Sequence, residues 1–343
     1  LQSLASFAAR HSVEEGFGGA DIRAPRLMFD ESLQPYQITE LARGLVENVR
    51  GEIGLEAAIL WTRDAISSSG VVHLNGVSLA TATIPIVEDV RGDVLFDDFF
   101  ALTTPPGQVV NVGVLNPGVA VRDGRVQFQL LQDGGVRIEG AEFAFASGVL
   151  SMTPTTITLG ADETQFELRL SDVDAAALLA QLNVPDLSAT GRIEGRFPLL
   201  LTRTHAYIRD GSLRAQAPGG AISYTGEAGA SAEGPARVAF DALRDFRYDA
   251  LSLTLNGDLA GEVVSEINFS GENSGRAIDL GPIASAPGVG RVTVRGVPLV
   301  FNVQVRAPFR RLAETAASLT NPGELIERGR EQEQTPPPVD QSP

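Results

Sequence analysis

The sequence predicts a mainly β protein, an antiparallel sheet of roughly 12 to 16 strands with a few short helices. Three features of the 343 residues lead to this fold class. Turn-forming dipeptides recur along the chain, the segments between them alternate apolar and polar residues, and helical periodicity is confined to short stretches. Strands of this type bury one face of a sheet and expose the other to water.

The turn signals are Asn-Gly and Asp-Gly dipeptides, which supply the positive-φ residues that tight β-hairpins require. They predict hairpin turns at Asn75-Gly76, Asp123-Gly124, Asp133-Gly134, Asp210-Gly211 and Asn256-Gly257. Between the turns, apolar and polar residues alternate most clearly at 126–130, 166–170, 251–255 and 303–305. These segments give the strongest strand signals in the chain.

Helical spacing of apolar residues occurs in a few short segments. It predicts helices at 37–48, 172–182, 236–243 and 309–319. None of them is long or apolar enough to form the core of a helical bundle. We therefore expect these helices to lie at the ends or the edge of the sheet as caps.

Composition divides the chain into three parts. Residues 1–26 are expected to be loose, or to complete a strand whose partner lies upstream, and residues 27–320 to form the β-sheet domain. Residues 321–343 are rich in Glu, Gln and Pro, which predicts a disordered tail. Because residue 1 is Leu and no apolar run approaches the roughly 20 residues of a membrane-spanning helix, we expect any targeting or anchoring segment upstream of it.

The charge and the amino-acid composition exclude several functions. The 27 basic residues are all Arg, and 43 acidic residues outnumber them, for a net charge of −16. Nucleic-acid binding depends on clustered cations, so we expect no nucleic-acid partner. The absence of Cys excludes disulfides and thiolate metal sites.

No sequence motif indicates catalysis. The three histidines, His11, His73 and His205, share no i,i+2 or i,i+4 spacing, and no Gly-x-Ser-x-Gly nucleophile turn occurs. Asp97 and Asp98 are adjacent, but neighbouring residues of an extended chain point to opposite faces, which favours a solvated strand end over an acid/base pair. We expect neither an enzyme nor a bound metal or organic cofactor.

The apolar face of the predicted sheet needs a cover, and the few short helices are too small to supply all of it. In one alternative, the sheet is a sandwich or solenoid that fills its own core with Val, Leu, Ile and Phe. In the other, the sheet holds an apolar ligand. The residues by themselves leave both alternatives open.

The second half of the chain resembles a known family. After the helix predicted at 172–182 comes the segment Gly191-Arg192-Ile193-Glu194-Gly195-Arg196-Phe197-Pro198-Leu199. It is similar to the G-x-(I/L)-x-G-x-x-P-L strand of the YdbH family, which belongs to the AsmA-like envelope proteins of Gram-negative bacteria. Further segments match this family in the same order, at 208–213, 218–224, 242–251, 256–258 and 298–302.

The resemblance implies both a fold and a function. The fold is a long, strongly curved, β-taco-like antiparallel sheet with a hydrophobic groove. The function is transport of phospholipid between the inner and outer membranes by a periplasmic protein anchored in the inner membrane. The family also carries an older dicarboxylate transport label. Three hypotheses therefore remain: a lipid-carrying groove, a dicarboxylate-binding domain with convergent arginines, and, from the residues alone, a structural solenoid with a self-filled core.

The apolar residues of each alternating segment are expected to form the wall of the groove and to contact phospholipid acyl chains. The predicted groove residues are Val126, Phe128, Leu130, Phe143, Phe145, Phe166, Leu168, Leu170, Ile193, Phe197, Leu199, Leu251, Leu253, Leu255, Ile267 and Phe269. A slip of one residue at a β-bulge would turn a whole strand to the other face.

The resemblance also implies a protein partner at the last strand. A small outer-membrane lipoprotein would add its own strand there by β-augmentation, because an open sheet edge recruits strands. The predicted edge residues are Val292, Val294, Phe301, Val303 and Val305. The helix predicted at 309–319 is then either a lid or a permanent cover of this edge.

Overall fold

The computed structural model describes most of the chain between residues 5 and 308. The described residues are 5–38, 46–81, 86–116, 120–158, 161–181, 186–202, 205–226, 234–259, 261–274, 278–279, 293–294, 296 and 298–308.

Strands dominate the described residues. In chain order they are β1 (Ser6–Ser12), β2 (Phe17–Phe29), β3 (Glu47–Trp61), β4 (Ile66–Ala80), β5 (Ile86–Phe96), β6 (Gln108–Asn116), β7 (Val121–Leu131), β8 (Gly135–Phe145), β9 (Gly148–Met152), β10 (Thr155–Thr158), β11 (Glu163–Asp174), β12 (Leu187–Ala189), β13 (Arg192–Thr202), β14 (Ala206–Ala215), β15 (Gly220–Tyr224), β16 (Phe246–Asp258), β17 (Glu262–Asn273), β18 (Ile278–Asp279), β19 (Thr293–Val294) and β20 (Pro298–Pro308). Two α-helices are described, α1 (Ala175–Gln181) and α2 (Gly234–Leu243), together with 3-10 turns at Pro35–Gln37 and Gln132–Gly134.

One antiparallel sheet holds 18 of these strands, which confirms the mainly β fold class. From β1 to β9, each strand pairs with the next along the chain. Later in the chain β15 pairs with β16, β16 with β17, and β17 with β20. The short strands β18 and β19 form a separate two-stranded sheet. The chain therefore has more strands than alternation alone predicted.

The chain divides into two compact units. The N-terminal unit comprises residues 1–171 and 196–209, and the C-terminal unit comprises residues 172–195 and 210–343. The main core cluster of the N-terminal unit has ten buried residues and lies on one face of strands β2 to β8. In the C-terminal unit a cluster of three buried aromatic residues lies on β16 and β17. Each unit thus has its own apolar core on its part of the sheet.

Four of the five dipeptides predicted as hairpin turns lie inside strands, so that prediction is wrong at those sites. Only Asp133-Gly134 forms a turn, between β7 and β8. The other four lie in β4, β7, β14 and β16: Asn75-Gly76, Asp123-Gly124, Asp210-Gly211 and Asn256-Gly257. Register shifts identify β-bulges at the first two of them. Positive φ serves a bulge as well as a turn, and cross-strand pairing decides between them.

The bulges keep the same face buried along the whole strand. In β7 the buried residues Val121 and Gly124 are three positions apart, and two exposed residues separate them. The same pattern recurs at Ile208 and Gly211 in β14. The second of the two exposed residues is Asp123 or Asp210, with φ of 51° and 54°. Without the bulge that absorbs this extra residue, strict alternation would turn the rest of each strand to the polar face.

The helix predictions have mixed outcomes. The prediction at 172–182 is confirmed as α1, although 172–174 still belong to β11, and the prediction at 236–243 is confirmed as part of α2. The prediction at 37–48 is wrong at its end, because residues 47 and 48 begin β3, and residues 39–45 lie outside the described ones. The predicted helix at 309–319 also lies outside the described residues.

The N-terminal segment is more ordered than the sequence predicted. Residues 6–12 and 17–29 form β1 and β2, which pair with each other, and β2 also pairs with β3. The expectation of a loose segment over 1–26 is therefore wrong for these strands, since their hydrogen-bond partners lie downstream in the same chain. The tail predicted at 321–343 lies outside the described residues.

Candidate functional site

The apolar face of the N-terminal unit consists of rows of side chains that cross neighbouring strands. In one row Val110 lies opposite Val126, Val126 opposite Ala141, Ala141 opposite Met152, and Met152 opposite Leu168. This row runs from β6 through β7, β8 and β9 to β11. It brings together Val126 and Leu168, two predicted groove residues that are far apart in sequence.

A second row lies beside the first on the same face. Val112 is opposite Gly124, and Phe143 is opposite Leu150, which is in turn opposite Leu170. The ring of Phe143 occupies the space over Gly124, where a Cβ atom would overlap it. Glycine at this position therefore lets a large side chain pack directly against the neighbouring strand.

The largest part of this face was missed by the sequence analysis. Seven of the ten buried cluster residues lie on β2 to β6, where no groove residue was predicted: Phe29, Val49, Val77, Val90, Val94, Val110 and Val112. A usable signal was present in Val90 and Val94, which are buried and lie next to the polar, exposed Arg91 and Asp93. The bulge at Asp89, with φ of 57°, interrupts that alternation and conceals Val87 as a further member of the same face.

In the C-terminal unit the apolar rows cross β16, β17 and β20. Leu251 lies opposite Phe269, and Phe269 lies opposite Phe301. In the next row Leu253 lies opposite Ile267, and Ile267 opposite Val303. The register therefore places predicted groove residues and predicted edge residues in the same rows.

Burial varies along these C-terminal strands and is high at both ends of β17, where Phe269 and Val263 are buried. Phe246 and Tyr248, at the start of β16, are 0% and 1% exposed. Helix α2 packs against β15 and β17, and Leu243 contacts the aromatic cluster. Farther along, Leu253 is half-buried and Val303 is 37% exposed. The helix thus covers one end of the apolar face, Val263 is buried at the other end, and Leu253 and Ile267 between them are half-buried.

The hydroxyl of Tyr248 has a role at the covered end. It donates a hydrogen bond to the carbonyl oxygen of Thr190 at 2.6 Å. Burial raises the pKa of Tyr248, because the phenolate form loses hydration there. The hydroxyl therefore stays protonated at neutral pH and acts as a structural hydrogen-bond donor.

The opposite face of the N-terminal unit carries polar rows, along with exposed apolar residues such as Leu60 and Leu95. Asn75 lies opposite both Glu52 and Arg91, Arg91 lies opposite Asn111, and Asn111 lies opposite Arg125. Within this row the Arg91 guanidinium donates to the side-chain oxygen of Asn75 at 3.2 Å. The sheet therefore has one face that favours water and one that favours apolar contacts.

All sixteen predicted groove residues are at least partly buried. Five are buried: Phe143, Leu170, Ile193, Leu199 and Phe269. The others are half-buried: Val126, Phe128, Leu130, Phe145, Phe166, Leu168, Phe197, Leu251, Leu253, Leu255 and Ile267. Phe166 and Leu199 share the lining of a shallow cavity of about 300 Å³.

The predicted edge residues are divided among different parts of the structure. Phe301, Val303 and Val305 lie on β20, which pairs with β17 over its whole length. Val294 lies on β19 opposite Ile278, in the separate two-stranded sheet. Val292 lies outside the described residues. The structure thus brings three of these residues together on one strand.

The side chains that could perform other chemistry are dispersed. Within the described ranges, no group of three or more His, Asp or Glu side chains is placed to hold a metal ion. His11 accepts a hydrogen bond from the Trp61 indole at 3.1 Å, and His73 lies 2.7 Å from Asp93. The first contact reaches from β1 to β3 across Gly18 of β2, and the second joins the neighbouring strands β4 and β5.

The fold and the rows of side chains define the class of protein: an antiparallel β-sheet protein with one apolar face and one polar face. Comparison with known proteins then identifies the family. The chain belongs to the YdbH-like family, because the family model described as intermembrane phospholipid transport protein YdbH matches residues 3–331. Neither the curated proteins nor the solved structures include a significant match to the chain.

Family membership implies a general function and location. The family is one of intermembrane phospholipid transport, and transport between two membranes implies the periplasm. Its described activity is lipid transport rather than an enzymatic reaction. Within the described part of the chain, the helices are too short or too polar to span a bilayer.

Proposed function

We propose that the chain is the C-terminal part of an AsmA-like periplasmic bridge, which carries phospholipid between the inner and outer membranes. The acyl chains lie on the apolar face, in a groove formed by the curved sheet, and the parent protein is anchored in the inner membrane by a segment upstream. The observation that carries this proposal is the incomplete burial of the apolar rows, with Leu253 and Ile267 half-buried and Val303 37% exposed.

The energetics of the face favour an apolar ligand. Removal of apolar surface from water is worth about 25 cal/mol per Å². Each half-buried Leu or Phe of a row still exposes apolar surface to water. An acyl chain that covers this surface therefore binds favourably. Since the rows run across many strands, an acyl chain can move from one strand to the next without losing contact with apolar surface.

The two alternative hypotheses find less support. A dicarboxylate site would need arginines that converge on free space. Arg26, Arg91 and Arg214 instead form ion pairs with acids of their own sheet, namely Glu52, Asp89 and Glu194. A solenoid with a self-filled core would bury its inner face throughout, whereas Val303 is 37% exposed.

A protein partner is the second part of the proposal. A small outer-membrane lipoprotein adds a strand to β20 and so continues the apolar face toward the outer membrane. Support comes from the pairing of β20, which uses one of its two sides for β17 in the described residues. Pro298, which lacks an N–H group, begins this strand, and the exposed Arg306 lies near its end. Both features discourage indiscriminate strand addition.

The lipid test compares two faces of one strand. Leu253→Asp places a charge on the apolar face, and the control Ser252→Asp places the same charge on the exposed face next to it. Native mass spectrometry of the purified chain should detect bound phospholipid in the wild type and in Ser252→Asp, and lose it in Leu253→Asp. Circular dichroism checks that both variants are folded. Equal retention of lipid in both variants would contradict the proposal.

The partner test uses a photo-crosslinking residue in the intact parent protein in cells. At Val303 on β20 it should capture a second, small polypeptide, whereas the control position Ser252 on the polar face of β16 should not. Crosslinks from Val303 that stay within the protein's own chain would remove the partner from the proposal. They would leave the lipid-binding part unaffected.

A further inference from the structure

The loop that joins β5 to β6, residues 97–107, is anchored by an unusual share of the buried polar side chains. Five buried polar residues occur in the described chain. Three of them, Ser68, Thr104 and Gln108, hold this loop and are 3%, 1% and 7% exposed. Buried polar groups are costly unless they are fully hydrogen-bonded, so this loop is a built feature of the fold.

The first half of the loop is fixed by Ser68 and Asp98. The Ser68 hydroxyl donates to the Asp98 carboxylate at 2.8 Å and accepts from the N–H of Phe99 at 2.9 Å. The same carboxylate oxygen accepts from the N–H groups of Phe100 and Ala101, at 2.8 and 3.2 Å. These hydrogen bonds stabilise the negative charge of Asp98 within the loop.

The second half of the loop is fixed to the neighbouring strands. The Thr104 N–H donates to the carbonyl oxygen of Leu130 at 3.1 Å, and the Leu130 N–H donates back to the Thr104 hydroxyl at 2.9 Å. The Gln108 side chain accepts from the N–H of Leu95 at 2.8 Å and donates to the carbonyl oxygen of Pro105 at 3.2 Å. Both ends of the loop are therefore rigid.

The loop folds onto the apolar face of the N-terminal unit. Phe99 stacks on Phe96, with ring centroids 4.6 Å apart, and Phe96 packs against the core cluster of that face. Gly70, opposite Phe96 in the register, leaves the space that the Phe99 ring uses, since a Cβ atom there would lie 2.6 Å from the ring. The Phe99 ring of the loop therefore lies against the apolar face at β4 and β5.

The loop presents two apolar side chains to solvent. Phe100 is 57% exposed and Leu102 is 39% exposed. Leu102 also has a φ of 52°, a left-handed conformation that a leucine rarely adopts. A strained residue of this kind persists only where its surroundings over-determine it, and such residues cluster at functional sites.

We propose that Phe100 and Leu102 form an acyl-chain contact on the apolar face, where they hold the lipid against the rows of the N-terminal unit. This inference rests on the proposed lipid transport and adds a specific contact point to it. The ligand is apolar because the loop presents a phenyl and an isobutyl group, while hydrogen bonds within the loop engage the carboxylates of Asp97 and Asp98. The apolar face continues directly beneath the loop, which gives an acyl chain a second surface to contact.

The test uses a photo-crosslinking amino acid at three positions of the intact parent protein in cells. Phe100 is the test position. Leu95 is the matched control, because it is 49% exposed but belongs to the opposite phase of β5, between the buried Val94 and the half-buried Phe96. Leu253 on β16 reports lipid binding by the proposed groove independently of the loop. Mass spectrometry identifies what each position captures.

We expect phospholipid at Phe100 and Leu253, with the yield at Phe100 at least several-fold above that at Leu95. An added Asp98→Ala change should lower the yield at Phe100 and leave that at Leu253 unchanged, because the loop then loses its anchor. Lipid at Leu253 without enrichment at Phe100 over Leu95, or a polypeptide at Phe100, would overturn the inference and keep lipid transport. Lipid at neither Phe100 nor Leu253 would instead overturn the proposed function.

Discussion

The N-terminal and C-terminal units cover their apolar faces with different side chains. Seven of the ten buried residues in the N-terminal cluster are Val, whereas the three of the C-terminal cluster are Phe246, Tyr248 and Phe269. Valine suits strands that must pack closely along their length. Aromatic rings instead fill the deeper space beneath α2, where Phe246 meets Phe301 edge-to-face at 5.4 Å.

The difference shows that the two units have separate structural devices at the margins of their apolar faces. In the N-terminal unit the device is the hydrogen-bonded β5–β6 loop, and in the C-terminal unit it is helix α2. In the C-terminal unit the middle of the face is half-buried, as at Leu253, whereas in the N-terminal unit half-buried residues such as Val126 lie among buried ones. Stability therefore depends most on the buried residues, and the proposed lipid contact on the half-buried ones.

The largest expected effect tests the covered end of the C-terminal unit. Phe246→Ala removes a ring that is 0% exposed and touches two other phenylalanines. We expect a loss of about 3–5 kcal/mol in the free energy of unfolding, as for other buried Phe→Ala changes. Phe301→Ala, at a half-buried position, should cost less. Chemical denaturation measures both, and equal losses would show that the covered end is not special.

A smaller effect should follow from crowding in the N-terminal unit. Gly124→Ala places a methyl group where the Phe143 ring lies, so the ring must move. Overpacking of this kind costs about 1–3 kcal/mol. Gly140→Ala is the control, because no atom of another residue in its surroundings would lie within 4 Å of its Cβ atom. Chemical denaturation measures the free energy of unfolding of both variants. Equal losses would contradict close packing of the Phe143 ring on Gly124.

The bulges are a feature that both units share. Asp123→Val and Asp210→Val each place a β-branched residue at a positive φ, which is 51° at Asp123 and 54° at Asp210. We expect a loss of about 1–2 kcal/mol for each, since left-handed backbone disfavours such side chains, and little loss for Asp→Gly. Thermal unfolding of the four variants measures this. Clearly unequal losses for the two Val variants would mean that the bulges differ between the units.

The smallest expected effect is the pH dependence of the β5–β6 loop. Hydrogen bonds from the Ser68 side chain and from the N–H groups of Phe100 and Ala101 lower the pKa of Asp98. A carboxylate whose pKa is lowered by folding contributes stability above its unfolded pKa of about 3.9, and this contribution is lost as pH falls through the folded pKa. As the pH is lowered below about 4, the melting temperature of Asp98→Asn should therefore fall less steeply than that of the wild type. An unchanged slope would count against this anchor.

The sequence predicted the strand phases well where alternation is uninterrupted. Leu251, Leu253 and Leu255 share one face of β16 and are all half-buried, as expected from their spacing. The core on β2 to β6 escaped prediction because bulges such as that at Asp89 change the phase within a strand. The Asp-Gly dipeptides were misinterpreted for the same reason: the local backbone of a bulge resembles that of a turn, and only the partner strand distinguishes them.

The candidate site was accessible from sequence only in part. Apolar residues of the alternating segments could be found, and the resemblance to the YdbH family could be recognised from 191–199 and later segments. The β5–β6 loop could not, because Asp98 and Thr104 bind Ser68 and Leu130, which are 30 and 26 positions away and meet them only in the folded sheet. Asp98 therefore looked like a solvated strand end, although its carboxylate holds the loop.

The bulge with its central Asp gives the sheet a modular character. Within each long strand that carries it, the bulge returns the apolar residues to the buried face. The neighbouring strands therefore need no change of register or sequence. Duplication of a β-hairpin with such bulges would lengthen the sheet by two strands, or about 9–10 Å, and keep every apolar residue on the same side. Chains built in this way can differ in span by whole hairpins while the cross-section stays the same.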